Sequence, residues 1–177
     1  MTHAVVGMAL GTTVPFPRRW RFWLASAVLP MLPDLDVLGL PLGVPFLSMW
    51  GHRGITHSLV AAVVISAIAA ALTHHALRIR PAPLAVYFAV ITASHGVLDA
   101  LTDGGAGVAF FAPFDATRYF LPWRPIPVSP LAADFFSAWG WRVFRAELVL
   151  VWIPALVVAA LALGARRRAR REGTHVA

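Results

Sequence analysis

Three stretches of this chain, residues 58–77, 82–102 and 147–165, stay apolar for the length of a bilayer crossing, and this constrains the fold more than any other feature. At 1.5 Å of rise per residue, about 20 helical residues span a ~30 Å hydrocarbon core. A fourth stretch, 20–40, is as long but interrupted by prolines, which predicts a weaker crossing. In hydrocarbon the backbone N–H and C=O groups must be paired without help from water, so such segments fold as helices packed side by side. The expected fold is all-α, an integral membrane helical bundle with about four transmembrane helices. Residues 3–14 predict a short N-terminal helix packed against them.

Composition matters for the choice of partner. Hydrophobic residues make up 59% of the chain and charged residues 13%, too few to cover a water-facing surface. A net charge of +7 would suit nucleic acid, but every basic residue is Arg and most flank the apolar runs. Arg18, Arg19 and Arg21 precede one run, Arg78 and Arg80 separate two others, and Arg166, Arg167, Arg168, Arg170 and Arg171 follow the last. That pattern anchors spanning helices, so the lipid bilayer is the expected partner and no nucleic-acid binding is expected. With no Cys there is neither a disulfide nor a thiolate, and any metal must take nitrogen and oxygen ligands.

The chain reads as one membrane-embedded helical domain, 1–165, followed by a basic cytoplasmic tail, 166–177. Within the domain, 104–146 is rich in Gly, Pro and aromatics and reads as a long interfacial loop. The first residues lack the basic region and cleavage site of a signal peptide, so they are expected to be retained, His3 included. Placing the three Arg groups on the cytoplasmic face makes the crossings alternate consistently. The sequences PDLD (33–36), HRGITH (52–57) and HGVLD (95–99) then arrive together at the outer face of a multi-pass membrane protein.

These three sequences carry most of the candidate chemistry. Asp and His are disfavoured at bilayer depth, a central Asp by roughly 2.5–3.5 kcal/mol, so a concentration of them marks a partnered interior. His95 and Asp99 lie four apart on one helix face and can reach a common ion, and Asp103 continues the stripe. His52 and His57 flank the turn that Gly54 permits, with Arg53 between them able to clamp an anionic group. Asp34 and Asp36 would point to nearly opposite sides of an α-helix, but Pro30 and Pro33 disturb it, so that one can ligate while the other holds a His. His3 gains weight only from this company. His74 and His75 read as interfacial, His175 as tail, and Asp115 and Asp134 have no distinctive spacing.

The ordered set THxxxG (His3, Gly7), PDLD, HRGITHS and SHGVLDALTDGG resembles the YdjM-like family of bacterial inner-membrane proteins, described as membrane-bound metal-dependent hydrolases. The resemblance covers about residues 2–105. That family is in turn similar to zinc-dependent phospholipase C and P1 nuclease, helical enzymes whose metal centres also use an HxxxD pair. By this resemblance His95 and Asp99 fall on the shared helix motif, with Asp34 or Asp36 and His52 or His57 as remaining ligands. The later His and Glu ligands of those soluble enzymes have no counterpart here, which implies one or two ions rather than three.

The resulting expectation is a membrane-bound metal-dependent hydrolase acting on an amphiphilic, phosphoester or lipid-type substrate. One or two divalent ions, Zn2+ before manganese or iron, would be held by residues drawn from His3, Asp36, His52, His57, His95 and Asp99. Asp34 would move a proton and Arg53 would neutralise substrate charge. The alternative is a non-enzymatic membrane protein whose polar cluster conducts protons or ions, or only fixes helix packing.

Overall fold

The computed structural model describes residues 1–17, 19–129 and 136–173, so Arg18, Asp134 and His175 fall outside the described residues. The expected all-helical bundle is present. Helix α1 (Thr2–Gly11) is followed by α2 (Trp20–Val28), which runs directly into a 3₁₀ segment, Leu29–Leu42. Helices α3 (Leu59–Leu77) and α4 (Pro81–Ala100) form an antiparallel pair. Helix α5 (Ala138–Glu147) passes through a π turn, Leu148–Trp152, into α6 (Ile153–Gly173). Four helical stretches are long and apolar enough to cross a membrane: Trp20–Leu42, Leu59–Leu77, Pro81–Ala100 and Ala138–Glu172. Among the described residues there is no strand; two isolated bridges, Thr102 with Ile126 and Val108 with Tyr119, tie the loop after α4.

Local chemistry sets the boundaries. The hydroxyl of Ser58 accepts from the N–H of Ala61, which caps α3, and Arg78 ends that helix in the left-handed region at φ 57°. Pro81 opens α4, where its missing N–H costs nothing. In the first crossing, Pro33 and Pro41 break the α ladder and the chain tightens into 3₁₀ for 14 residues, far beyond the usual single turn. The expected loop 104–146 ends earlier than its composition implies, because Ser137 caps α5 by accepting from the N–H of Gly140. At the other end α6 continues through Arg166–Arg171, since Arg favours helix and neither Gly nor Pro lies between Gly164 and Gly173.

The bundle is apolar inside and outside. Phe22, Leu29, Ala70, Leu84, Phe88 and Ile91 form the buried core between α2, α3 and α4. Val63, Ile68, Leu72, Leu156, Val157 and Leu161 are exposed, as lipid-facing side chains of spanning helices are. Helix α1 fits closely because Gly7 and Gly11 form a small-residue stripe. A Cβ on Gly7 would overlap the carbonyl oxygen of Ser26, and one on Gly11 would lie 2.9 Å from the Tyr87 hydroxyl. That hydroxyl donates toward Gly7 O at 3.1 Å and toward Ser26 Oγ at 2.7 Å, fastening α1 to α2 and α4. Gly7→Val is therefore expected to force α1 away and cost about 1–3 kcal/mol, read as a lower thermal midpoint in detergent. Gly164→Val, where nothing lies within 4 Å, should leave the midpoint unchanged.

The two ends of the bundle differ in chemistry. Arg19, Arg21 and Ala76 border one recess, and Thr13, Pro17, Arg166 and Arg170 border another, so the Arg-bearing segments gather at one end. The opposite end carries residues 33–57, the C-terminal turn of α4 and the loop that follows it. Leu59 N–H donates to Phe110 O, Ala109 N–H to Arg53 O and Leu121 N–H to Ala100 O, drawing that loop across this end. Arg118 reinforces the closure by donating to the carbonyls of His52 and Ser48 at 3.0 Å.

Candidate metal centre

The C-terminal half of α4 brings His95 and Asp99 inward on one face, His95 fully buried and Asp99 nearly so. The Nδ1 of His95 donates to the carbonyl of Pro30 at 2.7 Å. In a 3₁₀ helix that carbonyl would receive the N–H of residue 33, but Pro33 has none, so the Pro30–Pro33 spacing leaves it open for the imidazole. The bond fixes the tautomer: with Nδ1 protonated, the Nε2 lone pair of neutral His95 points into the cluster.

Asp34 and Asp36 reach the same cluster because the segment is 3₁₀. At three residues per turn, positions two apart are separated by about 120° instead of the roughly 160° of an α-helix. Their environments differ sharply. The Asp36 side chain is 2% exposed and holds the HRGITH turn, receiving Thr56 Oγ1 at 2.6 Å and the Arg53 N–H at 3.2 Å and pairing with His52 Nδ1 at 2.8 Å. It also lies 3.2 Å from His57 Nδ1. Asp34, with a side chain 45% exposed, instead faces His57 Nε2 at 3.6 Å and His95 Nε2 at 3.3 Å.

Gly51 and Gly54 allow the HRGITH turn to fold on itself, since a Cβ on either would overlap a backbone oxygen of 45–49. Gly96 lets it approach α4, with a Cβ there only 3.0 Å from His57 O. Arg53 adopts φ 65°, a strained value for a side-chain-bearing residue. It is 5% exposed, and its NH1 donates to Thr102 Oγ1 at 3.0 Å, Gly104 O at 3.1 Å and Asp99 O at 3.4 Å. Its Nε lies 3.1 Å from Asp99 Oδ2 but off the line of a hydrogen bond, so this contact is an ion pair.

Four donor atoms from three elements converge: Asp34 Oδ1, His57 Nε2, His95 Nε2 and Asp99 Oδ2. The two Nε2 atoms are 3.0 Å apart, and the carboxylate oxygens stand 3.3–3.6 Å from them. A tetrahedral ion with bonds of about 2.0–2.1 Å to nitrogen and oxygen needs donor separations of about 3.3–3.4 Å. The set can therefore hold a metal ion, and its His/carboxylate composition suits a borderline divalent cation. Charge points the same way. Asp34, Asp36 and Asp99 bring three negative charges against two guanidinium groups, Arg53 beside Asp99 and Arg118 near Asp36, which leaves a net negative charge for a cation. Without one, His57 takes it up: burial disfavours its imidazolium, but hydrogen bonds to Asp34, Asp36 and Asp99 outweigh this and raise its pKa to about 10.

Asp36, His52 and His57 also lie within ligand reach of one another. Their contacts are those of a hydrogen-bonded support for His57, which occupies Nδ1 and leaves Nε2 for the cluster. His3 arrives on the Gly7–Gly11 face of α1 and stacks on His95 with ring centroids 3.7 Å apart. Its Nε2 is 3.6 Å from the other Asp99 oxygen, Oδ1, and its buried Nδ1 has no hydrogen-bond partner. Thr2 next to it donates to Glu147 Oε2 at 2.6 Å and accepts from Trp152 Nε1 at 2.9 Å, which anchors the start of α1 to the π turn.

All eight residues singled out in the sequence thus meet in one cluster. Asp103 does not join it; its carboxylate receives Val128 N–H at 2.8 Å and pins the loop. Asp115 binds Thr117 N–H and the Tyr119 hydroxyl, while His74 and His75 stack at the far end of α3. Sequence reading misses the Pro30 carbonyl, Thr56, Thr102, Gly96 and the Thr2–Glu147–Trp152 link. Of these, only Pro30 leaves a local signal, a proline three residues before another.

The YdjM inner membrane protein family model matches residues 1–170. Inner membrane protein YbcI of Escherichia coli (strain K12) is 36% identical over 172 residues, covering 94% of this chain and 98% of that protein. No solved structure matches. With four apolar helices long enough to cross a bilayer and a His/Asp cluster at one end of them, this chain is a multi-pass inner membrane protein that belongs to the YdjM inner membrane protein family.

Proposed function

We propose that the chain is a membrane-bound metal-dependent hydrolase acting on a phosphoester or lipid-type substrate. The observation that carries this reading is the spacing of the four donor atoms, which suits one tetrahedral ion, zinc in the first instance. When bound, such an ion lowers the pKa of a water towards neutrality and polarises a phosphoryl or acyl oxygen.

The protein groups then have separate tasks. Asp34, His57, His95 and Asp99 would hold the ion, and a water would have to enter as a further ligand on the exposed side of Asp34, from which substrate would also arrive. Asp36 and His52 stand behind His57, and the Pro30 carbonyl behind His95, so each imidazole keeps its Nε2 inward. Arg53 acts through Asp99, holding its oxygen in place and balancing part of the cluster's charge. His3, whose Nε2 lies 3.6 Å from Asp99 Oδ1 and whose buried Nδ1 has no hydrogen-bond partner, accepts and returns the proton. In this reading Asp34 ligates and Asp36 supports, whereas the expectation from the sequence is Asp36 as ligand and Asp34 as proton carrier. The cluster faces the outer leaflet, with the Arg-rich end in the cytoplasm.

The test is metal analysis of the purified protein in detergent together with phosphodiester and phospholipid turnover. Near-stoichiometric metal and metal-dependent turnover are expected. Asp34→Asn should weaken metal retention more than Asp36→Asn, whose loss should stay within the roughly 10–100-fold typical of a supporting carboxylate. Metal-free parent protein, with both variants indistinguishable from it, would reduce the cluster to a packing network.

A further inference from the structure

Helices α1, α4 and the π turn with α6 do not close on one another. They leave a cleft of about 270 Å3, floored by Val6 and Leu10 of α1, walled by Leu98 and Leu101 of α4 and by Val151 and Ala155 on the other side, with Trp123 at its rim. Its lining is almost wholly apolar. The cleft shares helices α1 and α4 with the metal cluster. Val6 is one turn from His3 on α1, Leu98 is one turn from His95 on α4, and Leu98 and Leu101 bracket Asp99.

We propose that this cleft seats a hydrocarbon chain of the substrate, so that the substrate is a bilayer amphiphile entering sideways from the membrane. This rests on the hydrolase reading above and narrows its substrate class. Three observations favour this occupant. The far wall belongs to an apolar helical stretch long enough to span the bilayer, and the neighbouring side chains Leu156 and Val157 are exposed, so the cleft borders lipid and not water. No described side chain fills it, although α1 packs tightly against α2 and α4 at Gly7 and Gly11. Moreover, Val6 and Leu98 each stand one turn from a cluster residue, so a chain seated against them would carry an attached ester or phosphoester towards the polar cluster. Because lipid tails are as apolar as the lining, the cleft selects by shape and position, not by hydrophobic transfer.

The test uses the full-length protein in phosphatidylethanolamine and phosphatidylglycerol vesicles doped with phosphatidylethanolamine bearing a diazirine on one acyl chain. After irradiation, peptides are mapped by mass spectrometry, and metal content is measured on the same preparations. Labelling is expected to concentrate on Leu98–Leu101 and Val151–Ala155. Ala155→Trp, which fills the cleft, should cut labelling of the α4 peptide by about tenfold, as expected when a bulky ring excludes a chain from a close-packed slot, while metal is retained. Val158→Trp should act likewise if Ala155→Trp folds poorly, and Val157→Trp, facing lipid outside the cleft, should change nothing. Label spread evenly over lipid-facing helices and indifferent to Ala155→Trp would overturn the cleft assignment. Metal-free protein with focused labelling would instead overturn the hydrolase reading, and with it the assignment of the bound chain to a substrate.

Discussion

His57→Ala is expected to strip the metal from purified protein, with residual content near background after dialysis. His57 faces the donor set with Nε2 while its Nδ1 faces Asp36, so its removal deletes one ligand and leaves Asp36 without one of its partners. A four-coordinate site reduced to three ligands loses affinity by more than the roughly 10–100-fold seen on changing a supporting residue. Element analysis after exhaustive dialysis checks this, and His95→Ala should match it. Circular dichroism should still report a helical bundle, because α3 and α4 pack mainly through apolar contacts away from the cluster. Retention of the parent's metal by His57→Ala would sink the assignment of the ion to this set.

The second large effect concerns Arg53. Its Nε lies 3.1 Å from Asp99 and its NH1 bonds three oxygens of 99–104, all within the closed end of the bundle. Arg53→Ala leaves the carboxylate buried without its guanidinium, a change that costs about 3–5 kcal/mol. The same substitution removes the side chain that joins the HRGITH turn to the loop after α4. The expected result is a clearly lower thermal midpoint in metal-free protein, with part of the loss recovered when excess zinc is added, because the cation replaces some of the missing positive charge. An unchanged midpoint would mean that the guanidinium contributes nothing to holding Asp99.

The spans are legible in the sequence because membrane helices need a continuous apolar length, which local composition reveals directly. His95 and Asp99 are legible for a related reason: a spacing of four puts both on one helix face whatever surrounds them. The distinction between Asp34 and Asp36 is not. It depends on the segment being 3₁₀, and a two-residue spacing has a different meaning at 120° per residue than at 100°. Arg53 is misleading in sequence for another reason. A guanidinium between two imidazoles suggests a clamp for anions, but its NH1 is taken up by the Asp99 carbonyl at the end of α4 and by Thr102 and Gly104 just after it. The earlier start of the last helical stretch hinges on Ser137, one residue in a run otherwise dominated by loop-forming types.

The bond network at the start of α1 also links distant parts of the chain. Thr2 holds both Glu147 and Trp152, so the residue beside His3 is fastened to the last crossing of the chain. A change at Glu147 or Trp152 therefore reaches the imidazole cluster through Thr2 and its neighbour His3, at a distance from the donor atoms themselves.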